Sequence, residues 1–224
     1  NVRRTGIRAY NCGEEDKLLQ VVKASDKQEI IIGTKLGYSI RFTGNQVRPV
    51  SRVAKGVKSI NLRPGDEIAG LIVLDPDPEK LLLTITEKGY GKRTRSSEYR
   101  SQNRGGMGII DIQTGDRNGS VVGMTQVYDG DRIMLITNGG QVIKIPVSNI
   151  RECHRNTKGV RLMRVQEPDR IVSIVRAVEN DEEDQNEEQE PTTEGANEDQ
   201  VETTDSAQTP TESPAETPDG DDSE

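Results

Sequence analysis

The feature that most constrains this chain is a repeat with a period near 51 residues. An apolar run followed by a glycine recurs as Ile30, Ile31 and Ile32 before Gly37, as Leu81, Leu82 and Leu83 before Gly89, and as Ile133, Met134 and Leu135 before Gly140, the glycines lying 52 and 51 residues apart. A second glycine, followed by an apolar residue, recurs at Gly6, Gly56, Gly108 and Gly159. Within each unit the apolar runs are short, rich in Ile and Val and bounded by Gly, Asp, Asn or Pro, which is the pattern of strands. Four strands per unit are predicted, in the unit around Gly37 at 29–34, 38–43, 57–62 and 67–74. Gly37, Gly89 and Gly140 each sit between two apolar runs, where a tight hairpin needs a residue that tolerates positive φ.

Four strands in about 50 residues is the size of a propeller blade, and one blade cannot bury both of its faces, so neighbours must stack. The expected fold is therefore all-β: a propeller-like array of four-stranded blades over residues 1–178, about three and a half of them. That is too few to close a ring, so the chain reads as a fragment, with further blades expected upstream of Asn1. The chain has no Trp and only six Tyr and Phe, which argues against WD-type and Kelch-type repeats.

Charge divides the chain in two. Residues 179–224 hold 19 acidic residues and no Lys or Arg, leaving 30 basic and 19 acidic residues before them, so a body of formal charge +11 carries a tail of −19. The tail, rich in Glu, Asp, Thr, Pro and Gln, is expected to be disordered. It is either a solubility appendage or an internal competitor for a polyanion bound by the body.

In every unit the segment between the two glycines is basic: Arg41, Arg48, Arg52 and Lys55; then Lys92, Arg93, Arg95, Arg100 and Arg104; then Lys144, Arg151, Arg155 and Lys158. These thirteen cations face only Glu98 and Glu152 in the same segments. If the repeat holds phase in space, they form a belt suited to a curved polyanion. Duplex DNA is favoured over single strands, which need aromatic platforms, and contacts are expected to be to phosphates, independent of sequence and steeply salt-dependent. A propeller scaffold for acidic proteins is the alternative from another class.

Cys12 and Cys153 are far apart and suggest neither a disulfide framework nor a zinc site, and His154 is the single histidine, so an Asp/His/Ser triad and a multi-His metal site fail on inventory. No GxxxxGK[ST] phosphate loop occurs, and the longest apolar runs of five or six residues are far short of a membrane span.

The segments Thr5-Gly6-Ile7-Arg8-Ala9, Gly89-Tyr90-Gly91-Lys92-Arg93-Thr94 followed by Glu98-Tyr99, Asn118-Gly119-Ser120-Val121-Val122-Gly123 and Arg155-Asn156-Thr157-Lys158-Gly159-Val160 resemble the C-terminal domain of the DNA gyrase A protein. The resemblance implies a six-bladed β-pinwheel, a propeller relative, whose basic rim wraps DNA and passes a second duplex segment to the cleavage core. It implies partners as well: double-stranded DNA, the gyrase B protein and a second gyrase A protein in an A2B2 complex in the bacterial cytoplasm. The type II topoisomerase they form introduces negative supercoils using ATP and Mg2+. The family's cleaving tyrosine and its ATP site lie in other parts of that enzyme, so no catalytic residue, cofactor or metal is expected in this segment. The family's diagnostic box reads Gln, basic, Arg, Gly, Gly, basic, Gly. Gln102-Asn103-Arg104-Gly105-Gly106-Met107-Gly108 resembles it but replaces both basic positions, and so reads as the equivalent loop of a later blade. On that resemblance Arg104 touches DNA while Gly105, Gly106 and Gly108 shape the loop. The corresponding C-terminal domain of topoisomerase IV is the nearest alternative.

Overall fold

A computed structural model describes residues 4–74 and 80–177; the tail expected at 179–224 lies outside the described residues. Strands β1 (Glu29–Thr34) and β2 (Tyr38–Thr43) form the hairpin around Gly37, and β3 (Ile68–Leu74) pairs with the other edge of β1. The next unit repeats this with β4 (Leu81–Thr86), β5 (Tyr90–Arg95) and β7 (Val121–Val127), and the last with β8 (Arg132–Thr137), β9 (Val142–Pro146) and β11 (Ile171–Ala177). The hairpin glycines have φ near +82°, a region costly for residues with a Cβ.

Sequence spacing predicts that each unit supplies all four strands of its own blade, but the fourth strand comes from the unit that follows. β6 (Ile109–Ile110) belongs to the second unit yet pairs with β2 of the first, giving the order β3-β1-β2-β6. β10 (Val160–Arg161) from the third unit likewise completes the second sheet in the order β10-β5-β4-β7. Neighbouring blades are thus tied by exchanged strands. The exchange explains two departures. The predicted strand at 57–62 does not form, because no hairpin stands before it among the described residues to receive it. The third sheet has three strands, β11-β8-β9, because no following unit supplies a fourth among the described residues.

The core lies between successive sheets. Ile31, Ile72 and Leu74 of the first sheet pack with Leu82, Val121 and Met124 of the second, and Leu83, Ile85 and Val127 of the second with Ile133, Leu135 and Ile171 of the third. Strands β1 and β4 are consequently buried along nearly their whole length, which is why their sequences read as unbroken apolar runs, whereas β8 alternates buried and half-buried residues.

Candidate nucleic-acid interface

After the second strand of each hairpin the chain makes one 3-10 turn, at Gly44–Gln46, Ser96–Glu98 and Val147–Asn149. The N–H of the next residue closes each turn onto its first carbonyl, at 2.9, 3.1 and 2.9 Å for Val47, Tyr99 and Ile150. Tyr99 and Ile150 then turn into the core, and the residue after them points outward. That residue is arginine in all three units: Arg48, Arg100 and Arg151, each exposed. Arg52, Lys55, Lys144 and Lys158 are exposed too, as is Arg95, which pairs with the half-exposed Glu152 at 2.5 Å. An ion pair so accessible to water contributes only about 0–1 kcal/mol and opens readily to another anion.

The other five expected contacts are occupied in holding blades together. Arg104 and Arg155 reach back to the preceding unit in the same way. Arg104 donates its backbone N–H to Gln46 Oε1 at 2.8 Å, Nε to Gln46 O at 3.1 Å and Nη1 to Lys58 O. Arg155 donates its backbone N–H to Glu98 Oε2 at 3.1 Å and Nη1 to Ile110 O. Burial pushes the Glu98 carboxyl up, but the hydrogen bonds from Arg155 and His154 outweigh it and leave the group below its ordinary value. Arg41 and Arg93 reach forward. Arg41 Nη1 donates to Ser96 O and Tyr99 O at 2.7 and 3.0 Å while its other nitrogens hold Glu29. Arg93 donates to Ile150 O at 2.5 Å and Ser148 O at 3.4 Å and pairs with Asp129. Arg52 and Lys144 occupy the same phases as these struts and are exposed because no further unit lies beyond them among the described residues.

Lys92 is the clearest correction, for it is fully buried. It faces Thr84 across the β4–β5 hairpin, where the other hairpins place Ile40 against Ile32 and Ile143 against Leu135. Its ammonium donates to Asp111 O at 2.6 Å, His154 O at 2.8 Å and Arg155 O, and lies 3.9 Å from Asp111 Oδ1. Asp111 in turn accepts from Tyr99 at 2.5 Å and Thr84 at 2.8 Å. Burial lowers the Lys92 amine to about 8, with the Asp111 charge pulling the other way. Burial also raises the Asp111 carboxyl and lifts the Tyr99 phenol well above its usual value, the neighbouring carboxylate adding to the latter. This network is an internal polar pin and is closed to any ligand.

Among the box-like glycines, Gly105 and Gly108 have positive φ, and a Cβ on Gly108 would stand 2.5 Å from Ser39 O, so the exchanged strand can approach β2 only with glycine there; Gly106 has ordinary space.

Sequence reasoning missed a second basic group beside the hairpin turns. Arg63 stacks on Tyr38 with its guanidinium carbon 3.2 Å from the ring centre, and Arg117 and Arg161 stand 5.0 and 5.3 Å from the ring centre of Tyr90. Arg161 also donates to the Tyr90 hydroxyl at 2.7 Å, and hydrogen bonds from Arg117 and Arg161 hold that phenol below its ordinary value. The signal available was the tyrosine directly after two of the three hairpin glycines, in the same phase. Among the described residues, no group of three or more His, Cys, Asp or Glu side chains could hold a metal ion, and no helix is long and apolar enough to cross a membrane.

A family profile described as the DNA gyrase C-terminal domain, beta-propeller, matches residues 28–75, 80–127 and 131–177, which are the three units described above. The chain belongs to this family. It is 41% identical over 174 residues to the DNA gyrase A protein of Haloquadratum walsbyi, covering 78% of this chain and 20% of that one. It is 41% identical over 201 residues to the DNA gyrase A protein of Staphylococcus aureus, covering 90% of this chain and 22% of that one. The chain therefore spans about a fifth of the length of these curated relatives. In fold it is similar to a crystal structure of the C-terminal domain of DNA topoisomerase IV, with a TM-score of 0.71, 24% identity and coverage of 76% of this chain and 53% of that one. It is also similar to a structure of the DNA gyrase A C-terminal domain, with a TM-score of 0.68, 22% identity and coverage of 78% and 59%. The exchanged strands are thus set in a gyrase-type propeller domain.

Proposed function

We propose that this domain is the DNA-wrapping region of a gyrase A protein, binding duplex DNA without regard to sequence along its exposed cations and bending it. In the whole enzyme, an A2B2 complex of two gyrase A and two gyrase B proteins in the bacterial cytoplasm, that curvature biases strand passage toward negative supercoils. The chemistry, with its ATP and Mg2+, belongs to other parts of the enzyme, and this segment supplies binding and shape. The observation that carries the reading is the phase-locked row Arg48, Arg100 and Arg151, turned outward by the same 3-10 turn in each unit and accompanied by Arg52, Lys55, Arg95, Lys144 and Lys158. The struts Arg41, Arg93, Arg104 and Arg155 hold the blades that present this row, and Lys92 pins the middle one.

Bending a site of 20–30 bp by 40–90° costs on the order of 1–6 kcal/mol, which several charge-assisted phosphate contacts offset. The test is duplex affinity measured against salt, together with the linking-number change trapped when the chain is bound to a relaxed plasmid in the presence of a nicking-closing enzyme. A steep log–log slope with a trapped change in writhe is expected; near-flat affinity refutes the reading and favours a scaffold for acidic proteins. The likeness in fold to the topoisomerase IV domain supports a second reading, which the sequence preceding Asn1 decides: an intact Gln, basic, Arg, Gly, Gly, basic, Gly box there assigns gyrase.

A further inference from the structure

Arg63, Arg117 and Arg161 have no carboxylate partner among the described residues, yet each is held against an aromatic ring. Arg63 donates Nη1 to Met107 O at 3.0 Å, and Arg161 donates Nε and Nη2 to the Tyr90 hydroxyl at 3.2 and 2.7 Å, so each keeps guanidinium N–H groups that these bonds do not use, and a side chain already held in this way loses little freedom on binding a phosphate. These groups adjoin the belt described above. Lys158 borders a cleft of ≈ 330 Å³ that Tyr38 also lines. Its carbonyl accepts from Asn118 at 3.3 Å, next to Arg117, and Arg161 follows it by three residues on β10.

Arg117, Arg161, Arg164 and Arg170 line a larger cleft of ≈ 700 Å³ with Tyr90. Lys88 lines it as well and engages Glu167 at 3.6 Å. Glu87, Asp116 and Asp169 also line this cleft, so a free dianion lodged within it would meet carboxylates. A duplex laid along the outside meets the guanidinium edges instead.

We propose that the hairpin edge carries a second row of duplex-DNA phosphate contacts, made by Arg63 on Tyr38 and by Arg117 and Arg161 on Tyr90 and joined to the belt through Lys158. This rests on the DNA-wrapping reading and extends it from a single belt to a band two rows wide. The aromatic rings act as rigid backing for the arginines and do not stack on bases. The third blade has Gln141 where the others have Tyr38 and Tyr90, so the second row ends at the second blade.

The test uses the full chain and a labelled duplex of mixed sequence, titrated across salt, with Arg63→Gln, Arg117→Gln and Arg117→Gln/Arg161→Gln. Each lost phosphate contact should lower the log–log slope by about 0.9, which is about an 8-fold weakening at 0.1 M salt. Arg117→Gln is the cleanest variant, since its described contacts are with Tyr90 alone; Arg161→Lys and Tyr90→Phe, with melting temperature followed in all, separate charge from folding. Charge-dependent loss in the glutamine variants, with Arg161→Lys retaining the slope, supports the second row. An unchanged slope in the Arg117→Gln/Arg161→Gln variant while the wild type stays steep overturns the second row and leaves the belt intact. A flat wild-type response instead sinks the wrapping reading itself. Tighter, Arg117-dependent capture of a polyglutamate peptide than of the duplex assigns this edge to acidic protein and also overturns the inference.

Discussion

Replacing Lys92 with isoleucine, the residue in the same phase in the first and third units, should destabilise the domain although it makes the position more apolar. The substitution removes donors from three carbonyl oxygens and leaves the buried Asp111 carboxylate with only Tyr99 and Thr84. Breaking one side of a buried ion pair costs about 3–5 kcal/mol. For a domain of this size that lowers the melting temperature by about 6–20 °C. Asp111→Leu, copying Leu162 of the third unit, should cost a similar amount by stranding the ammonium, whereas the double variant should cost less than the two together, by about 1–3 kcal/mol. Urea unfolding followed by circular dichroism measures all four corners of this cycle.

A pH arm isolates the amine. With Lys92 at about 8 in the folded state against an ordinary 10.5, both states are charged below pH 8 and the burial penalty is fully present. Between pH 8 and 10 the unfolded chain holds a proton that the folded chain has released, so stability should rise with pH by an amount approaching about 3 kcal/mol. Tyr99, raised above its usual value, opposes this only above pH 10, where the unfolded phenol ionises first and pulls the equilibrium toward unfolding, so the rise should level off there. Lys92→Ile should lack the rise. A Lys92→Ile variant within about 1 kcal/mol of wild type, or strictly additive single variants, would refute the pinning argument.

The struts and the outward row should separate by assay: Arg104→Ala or Arg155→Ala lowers stability by about 1.5–3 kcal/mol, through hydrogen bonds made by a charged donor, before any effect on DNA is considered. Arg100→Ala and Arg151→Ala should leave unfolding within about 0.5 kcal/mol of wild type and lower the salt slope of duplex binding. Deleting residues 179–224 should strengthen duplex binding at low salt, the gain fading as salt screens the tail's charge of −19; equal affinity with and without the tail at low salt leaves it a solubility appendage.

The strands β1 and β2 were legible to the residue because both faces of these blades are buried and their ends are marked by glycine and polar residues. The strand exchange was not legible. A periodic sequence presents the same Gly-apolar signal whether that segment folds onto its own hairpin or the preceding one, and only the tertiary path chooses. The charges show the same limit. Phase correctly grouped the thirteen cations by position in the unit, yet phase alone does not say which positions face inward. For Lys92 the answer was already present in Ile40 and Ile143, since a lysine standing where its sister units place isoleucine occupies a core position and needs buried acceptors. For Arg104 and Arg155 no such sign existed, because their acceptors are mostly backbone carbonyls brought close by folding.

Exchange also makes each blade's stability depend on the next unit, and truncation after Val127 tests this directly. Removing the third unit takes β10 from the free edge of β5, the carbonyls of Ser148 and Ile150 from Arg93, that of Cys153 from Thr94 and those of His154 and Arg155 from Lys92. It also uncovers Leu83, Ile85 and Val127. Each of these apolar side chains contributes about 1.5–3 kcal/mol when fully buried, so the second blade loses a sum comparable to the whole stability of an ordinary domain. Hydrogen exchange should therefore show the amides of β4 and β5 opening in the truncated chain while β1 and β2, still closed by β6, retain more protection. If β5 stays as protected as in the full chain, the blades are independent units, and the interblade struts do not govern the shape of the surface they present.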